Sequence, residues 1–204
     1  MAVTNGYATR NQIKAALRIG TADDTDDTLI DDAAGAASRL IDGYCNRAFW
    51  SVGTVTRVFA ANDPYFCDVD DFSGTAITLK TSTQENGTFD LTWAVTDWQL
   101  EPLNANLDGL TWAYSKIKAV GSNQFPFTGT GEALVQLTAS FGWTAVPETV
   151  TQATIIQASR LFKRLDSPLG VAGFGDMGAI RVSRFLDPDV QQLVDSFRKL
   201  RYLV

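Results

Sequence analysis

The spacing of apolar residues changes twice along this chain of 204 residues, and the change restricts the folds that it can adopt. Over the first fifty residues, apolar side chains recur every three or four positions, as a helix with one buried face requires. Between about residues 51 and 143 they alternate with polar ones, which is typical of β-strands. Helical spacing returns after residue 146. The sequence therefore predicts an α+β fold, a small helical bundle with an inserted antiparallel β module.

These changes divide the chain into three predicted segments. Residues 1–50 form the N-terminal helices of the bundle, and residues 51–145 form the inserted β module. Residues 146–204 form C-terminal helices with a glycine-rich loop and a short strand, which complete the bundle. Because helical segments flank the strands on both sides, the pattern favours one bundle with an insertion over two independent domains.

Local signals predict where each helix begins and ends. Residues 9–12 (Thr-Arg-Asn-Gln) have the form of a capping box, and Gly20 is predicted to end that helix. An acidic stretch at residues 25–28 opens the second helix, where residues 33–37 contain only alanine and glycine and allow another helix to approach closely. Pro147 is predicted at the first position of the third helix. Asp187 and Pro188 open the last helix, after a strand at residues 179–185.

The β module is predicted to contain five or six short strands. The clearest is residues 132–141, in which the side chains of Ala133, Val135, Leu137, Ala139 and Phe141 share one face. Four further candidates, rich in threonine, valine and aromatic residues, are residues 55–60, 76–81, 89–93 and 112–120. All five tryptophans lie between residues 50 and 143, so we expect an aromatic core.

Several kinds of chemistry are excluded or disfavoured by composition. The chain contains no histidine, so Ser-His-Asp and Cys-His catalysis are absent, together with the commonest metal ligand. Cys45 and Cys67 are the only cysteines, and two thiols do not make a disulfide framework, which favours a reduced cytoplasmic setting. We predict a protein that is not an enzyme, with no catalytic residue, no cofactor and no metal ligand.

The net charge of −6 is unevenly distributed. Residues 1–150 hold nine Lys and Arg against eighteen Asp and Glu, whereas residues 151–204 hold eight against five. One interpretation is scatter between solvated surfaces. The other is that the C-terminal segment contacts an acidic neighbour, such as the acidic part of another copy of the chain. A sequence pI near 4.6 argues against a dedicated DNA-binding protein.

Two aspartate clusters invite a functional interpretation. The six aspartates within residues 23–32 fail the pattern of a calcium loop, because its sixth and twelfth positions are Thr28 and Ala34; acidity at a helix start explains the cluster. Asp68, Asp70 and Asp71 could bind a divalent ion or supply the paired acids of a glycosidase. We place them at a strand end in a turn-rich region, where exposed aspartates are common.

The glycine-rich segment 170–178 is the remaining candidate. It lacks the Gly-Lys-Ser/Thr ending of a P-loop, and it follows a helix and precedes a strand, the reverse of the order that a dinucleotide site requires. It is either a flexible connector or, because apolar residues lie among its glycines, a loop that contacts another protein. We favour protein contact, and the predicted interface consists of Gly170, Val171, Gly173, Phe174, Gly175, Met177, Arg181, Arg184, Arg198 and Arg201.

Stretches at both ends of the chain resemble known phage proteins. Residues 7–19 (Tyr-Ala-Thr-Arg-Asn-Gln-Ile-Lys-Ala-Ala-Leu-Arg-Ile) and 40–49 (Leu-Ile-Asp-Gly-Tyr-Cys-Asn-Arg-Ala-Phe) resemble the opening helices of phage head–tail connector proteins. Towards the C-terminus, Phe-Gly-Trp at 141–143, Leu-Phe-Lys-Arg at 161–164 and Ser-Pro-Leu-Gly-Val at 167–171 look like the head-to-tail adaptors of siphophages that infect actinobacteria. The resemblance covers about half of the chain and is weakest in the β module.

The resemblance implies a structural virion protein in the neck, made in the host cytoplasm. It implies a ring of about twelve subunits that binds the portal protein above and a stopper or tail-completion protein below. DNA would pass through the channel without being read, and no membrane is involved. Two alternatives stay open: another tail-completion or minor capsid protein, and a sugar-binding or hydrolytic β module.

Overall fold

The computed structural model describes residues 4–107, 110–165, 171–173, 179–181 and 186–199. Within them the chain is a mixed α+β structure, as predicted. The helices are α1 (Arg10–Leu17), α2 (Asp27–Cys45), α3 (Glu148–Leu165) and α4 (Pro188–Val194), followed by a 3-10 turn (Asp195–Phe197). The strands are β1 (Gly53–Phe59), β2 (Phe66–Phe72), β3 (Thr78–Thr81), β4 (Leu91–Thr92), β5 (Trp98–Glu101), β6 (Asn106–Leu107), β7 (Leu110–Thr111), β8 (Tyr114–Ala119), β9 (Val135–Phe141), β10 (Val171–Gly173) and β11 (Ala179–Arg181).

The chain divides into two compact units. Met1–Phe49 and Val146–Val204 make one, the helical unit, and Trp50–Ala145 make the other, the β unit. The β unit contains ten acidic and four basic residues, while the helical unit contains thirteen of each. The whole net charge of −6 therefore lies in the β unit. This division of charge is sharper than the one found by dividing the sequence at residue 150.

Alanines allow α2 and α3 to pack closely in the helical unit. Ala33, Ala34 and Ala37 of α2 are buried in one cluster with Ala158 of α3. Larger side chains close the cluster at its margin, and these are Leu17, Ile19, Ile155, Leu161 and Phe162. The expected close approach at residues 33–37 is confirmed, and its reason is that alanine leaves little side chain between two backbones.

The predicted caps are largely correct. Thr9 and Gln12 form the capping box, with Thr9 N–H donating to Gln12 Oε1 at 2.8 Å. Helix α1 ends at Leu17 rather than Gly20, because Arg18 adopts a left-handed conformation and its N–H and that of Ile19 close the last turn. Asp187 caps α4 as predicted.

Two other boundary predictions are wrong in part. Helix α3 begins at Glu148, so Pro147 precedes the first helical residue, and its carbonyl accepts from Thr151 N–H at 3.0 Å. Strand β10 lies within the predicted glycine-rich loop and pairs antiparallel with β11, so that Val171 lies opposite Arg181.

A curled antiparallel sheet forms the β unit. Its strands run in the order β4-β3-β9-β2-β8-β5, and β1 also pairs with β9 along its whole length. The alternation predicted for β9 is confirmed from Val135 on, since Val135, Leu137, Ala139 and Phe141 are buried and the residues between them are half-buried. The strand begins three residues later than predicted, and Ala133 before it is exposed. The core beneath is aromatic-rich, as the tryptophan distribution predicts: Trp93 stacks on Phe125 with ring centroids 4.8 Å apart.

Strands β2 and β5 are absent from the sequence prediction. Three aspartates conceal the alternation of β2, and a register shift between Asp68 and Phe72 buries both Asp71 and Phe72. The proposed turn-rich strand end at Asp68, Asp70 and Asp71 is therefore wrong, since these residues lie within a strand. No helix in the described part of the chain is long and apolar enough to span a membrane.

The two cysteines give a separate probe of each unit. Cys45 in the helical unit and Cys67 in the β unit are both free and fully buried. Burial raises the pKa of each thiol to about 12, so the reactive thiolate is scarce at pH 8. We expect neither thiol to react with a disulfide reagent in the native protein and both to react in denaturant, as followed by mass spectrometry over time. Rapid native labelling of either residue would show that its unit opens.

Candidate interaction surfaces

The C-terminal segment, residues 186–199, packs on the end of α2. Val190 and Val194 are fully buried, and Phe197 makes an edge-on contact with Phe49, with centroids 5.6 Å apart. Lys199 N–H donates to Cys45 O at 2.8 Å, and Asn46 Nδ2 donates to Lys199 O at 3.1 Å. Apolar burial and backbone bonds together anchor this segment.

Only part of the predicted interface falls within the described residues. Val171, Gly173 and Arg181 lie in the paired strands β10 and β11. Arg198 is exposed, and its guanidinium lies 5.2 Å from the centroid of the Tyr44 ring. The remaining predicted positions lie outside the described residues, and these are Gly170, Phe174, Gly175, Met177, Arg184 and Arg201. The predicted contact role stays a prediction for all ten.

Sequence inspection misses a polar cluster around Tyr7. The Tyr7 hydroxyl donates to Asp42 and accepts from Phe49 N–H at 2.8 Å, while Tyr7 N–H donates to Ser38 Oγ at 3.1 Å. Arg39 lies 3.0 Å from Asp42. Burial raises the pKa of Tyr7, and the hydrogen bond to Asp42 raises it further. Through these bonds Tyr7 anchors the segment before α1 to Ser38 and Asp42 of α2 and to Phe49, which follows that helix.

The predicted helix-start acidity explains the aspartates of α2 only in part. Arg10 of α1 binds both Asp27 and Asp31, and Lys14, 1% exposed, binds Asp27 and the carbonyl of Asp23. Asp26, at the cap position, makes no side-chain capping bond. Asp27 lies in the first turn of α2, as predicted, but together with Asp31 it also neutralises two cations spaced one turn apart on α1. The spacing of Arg10 and Lys14, four positions apart, is visible in the sequence, but it does not identify the aspartates that pair with them.

These ion pairs predict a loss of stability in acid. Hydrogen bonding to Lys14 holds the pKa of Asp27 below its ordinary value, and Arg10 does the same for Asp31. A carboxyl with a lowered folded-state pKa stabilises the fold above its ordinary pKa of about 4, and that contribution is lost as the pH falls through the folded value. We expect the urea midpoint to drop between pH 5 and pH 2.5.

The matched variants separate this cluster from general acid effects. Replacing Asp27 and Asp31 by asparagine is expected to lower stability at pH 7 and to flatten the acid dependence. Replacing Asp24 and Asp32, exposed neighbours that form no ion pair with a described residue, should change neither. An acid dependence equally steep in all three proteins would contradict the assignment.

The carboxylates of β2 are each engaged separately. Asp68 lies 3.2 Å from Lys116, Asp70 lies 2.6 Å from Arg57, and buried Asp71 accepts from Trp143 Nε1–H at 3.1 Å. Two of the carboxylates are exposed and paired with cations, and the third is buried against Trp143, so they do not form the free pair of facing carboxyl groups that a glycosidase requires. No group of three or more metal-binding side chains occurs among the residues described above.

Comparison with solved structures bears on the whole chain. No protein-family model and no curated protein matches the sequence. A chain in the neck of an empty GTA particle computed with C6 symmetry is 22% identical, with a TM-score of 0.56, over 100% of this chain and 95% of that one.

Two further structures give similar values. A chain in the virion of a native gene transfer agent (GTA) particle is 20% identical, with a TM-score of 0.56, over 100% of this chain and 95% of that one. A chain in the neck of a native GTA particle computed with C12 symmetry is 20% identical, with a TM-score of 0.53, over 100% and 94%. At such identity the likeness establishes a shared fold, and it extends over the β unit, where the sequence resemblance is weakest.

Proposed function

We propose that this chain is a structural virion protein of a tailed phage or phage-like particle, an adaptor between the head and the tail. About twelve copies form a ring below the portal protein and above a stopper or tail-completion protein. The ring surrounds the channel through which DNA leaves, and the chain has no enzymatic role.

One observation carries this proposal. The fold likeness to chains from GTA necks covers 100% of this chain and 94–95% of theirs, so both units have a counterpart in each of those chains. A match restricted to the helical unit would support no more than a common helix packing. The resemblance of residues 7–19 and 161–164 to phage connectors points in the same direction from independent residues.

The physical properties of the chain agree with such a role. A head-to-tail contact between identical subunits closes into a ring when the rotation permits, and it needs two different complementary surfaces on each copy. The β unit carries a net charge of −6, and a negative surface does not hold passing phosphates.

Reconstitution tests the proposal directly. Purified chain is added to tailless heads that carry portal, and the particles are imaged by cryo-electron microscopy before and after the addition of tails. We expect ring density at the portal and recovery of tail attachment that depends on the added chain. A chain that never binds portal-bearing heads, or whose density lies elsewhere in the particle, would overturn the adaptor assignment.

Two alternatives remain separable by experiment. Density at the tail tip or on the capsid shell would identify another tail-completion or minor capsid protein. Replacing Asp68 and Asp70 by asparagine is expected to leave tail attachment unchanged, since both carboxylates are exposed and bind only Lys116, Arg57 and Asn62 among the described residues. Loss of infectivity in this variant with normal particles would favour a sugar-binding or hydrolytic β module instead.

A further inference from the structure

One end of the β unit gathers four loops. The chain enters at Gly53, which lies opposite Phe141 where the chain leaves, and Phe59 lies opposite Val135 at the other end. Thr81 also lies opposite Val135, and Trp98 lies opposite Ala119, so the antiparallel register brings the intervening loops to that second end. We call this surface the loop end; it consists of residues 60–65, 82–90, 94–97 and 120–134.

Backbone hydrogen bonds tie these loops to the sheet and to one another. Ser82 N–H donates to Leu134 O at 3.0 Å, and Val120 N–H donates to Asp97 O at 2.8 Å. Phe125 N–H donates to Pro64 O at 2.8 Å, and the Phe125 ring stacks on Trp93. These bonds fix the backbone positions from which the side chains of the loop end project.

Apolar side chains project from three of the four loops. Val95 is 74% exposed, Phe127 47% and Tyr65 45%, although each lies two positions from a core residue, and these are Trp93, Phe125 and Cys67. Single exposed apolar residues are common on proteins, but three on adjoining loops mark an interaction surface. The partner must therefore offer apolar contact.

The negative charge of the loop end further restricts the kind of partner that it can bind. The loop end contains no lysine or arginine and five carboxylates, which are Asp63, Glu85, Asp90, Asp97 and Glu132. Several of them also stabilise turns: Asp97 accepts from Ala94 N–H at 3.0 Å, and Asp90 accepts from Thr83 N–H at 2.9 Å. An acidic surface with apolar projections fits a basic surface with an apolar projection of its own.

The last turn of α3 has these properties. Lys163 is exposed and Arg164 half-buried, neither forms an ion pair with a described residue, and Leu165 beside them is 56% exposed. The helix dipole favours cations at this position, and Leu165 adds an apolar side chain beside them. Two further arginines, Arg181 and Arg184, follow along the sequence.

We propose that the loop end of one copy binds the last turn of α3 in a second copy. The contact is heterologous, because it joins two different surfaces, and it can therefore be repeated from copy to copy around a ring. This inference rests on the proposed function for its ring geometry, while the surfaces themselves are properties of the chain alone.

Thiol cross-linking tests the contact in the full-length protein. Val95→Cys and Leu165→Cys variants are mixed and treated with a short bis-maleimide, and the cross-linked dimer is quantified in solution and in reconstituted particles. The native cysteines give little background because both are fully buried. Leu40→Cys serves as the control partner, since Leu40 is 47% exposed and also follows an arginine.

We expect at least about a tenfold higher yield for Val95→Cys with Leu165→Cys than with Leu40→Cys, because a specific contact raises the effective concentration of the pair. The yield should fall to the control level when Lys163→Glu and Arg164→Glu are added to the Leu165→Cys chain. Equal yields with both partners, in solution and in particles, would overturn the contact.

Failure of this inference is distinguishable from failure of the proposed function. If the chain joins heads to tails but the assembled particles show only control-level cross-linking, the adaptor role stands and the contact is wrong. If the specific cross-link forms in solution but the chain never binds portal-bearing heads, the contact stands and the adaptor role is wrong.

Discussion

Replacing Gly142 by alanine is expected to lower the free energy of unfolding of the β unit by about 4 kcal/mol or more, beyond the usual range for single substitutions. Gly142 has φ +94°, and an added Cβ would lie 2.0 Å from the carbonyl oxygen of Trp50 and 2.9 Å from Ser51 Cα. Both contacts are with backbone, which cannot rotate away. Gly142 N–H also donates to Asp71 O at 2.7 Å, so the strand end cannot shift without losing that bond.

Gly131 supplies the matched control. Its φ is +86°, almost the same, but nothing lies within 4 Å of the added Cβ. Gly131→Ala should therefore cost only the left-handed conformation, about 1 kcal/mol. Urea unfolding followed by labelling of Cys67 measures both variants. Similar losses in the two proteins would show that backbone conformation, and not the contact with Trp50, makes glycine necessary at position 142.

Replacing Ala34 by leucine is expected to destabilise the helical unit by about 3 kcal/mol, the upper part of the range for overpacking a core. Ala34 is fully buried between α2 and α3, in a cluster whose members on both helices include alanines. Three added carbon atoms would force the helices apart. We also expect the variant to lose tail attachment in the reconstitution described above.

Ala36→Leu is the control on the same helix. Ala36 is exposed, so the same change there should alter the free energy of unfolding by less than about 0.5 kcal/mol. The difference between the variants is read from urea unfolding with labelling of Cys45. A stable Ala34→Leu protein with an unchanged midpoint would mean that α3 can move away from α2 without cost.

Features that depend on neighbours along the chain could be predicted from the sequence. The capping box of Thr9 and Gln12 and the Asp187 cap involve residues within three positions of each other, and the β9 alternation reflects one buried face. These are local rules, and they apply whatever the rest of the chain does.

Features that depend on residues far apart along the chain could not be predicted from the sequence. Asp71 can be buried because Trp143, 72 positions away along the chain, donates a hydrogen bond to it. The sequence does not reveal this partner, so the three aspartates of β2 resemble a polar turn. The ion pairs of Asp27 likewise need the antiparallel approach of α1. The loop end is invisible in the sequence for the same reason, because its four loops adjoin only through the strand register.

The pairing of Gly53 with Phe141 has a consequence for how such a chain can change over time. Residues opposite each other in an antiparallel pair have their Cα atoms about 5 Å apart, so the chain enters and leaves the sheet of the β unit at neighbouring positions. A segment whose ends are neighbours can be gained, lost or exchanged without stretching its host. Inserts of different size and chemistry can therefore take the place of this segment in the sequence, provided that their own two ends lie equally close together.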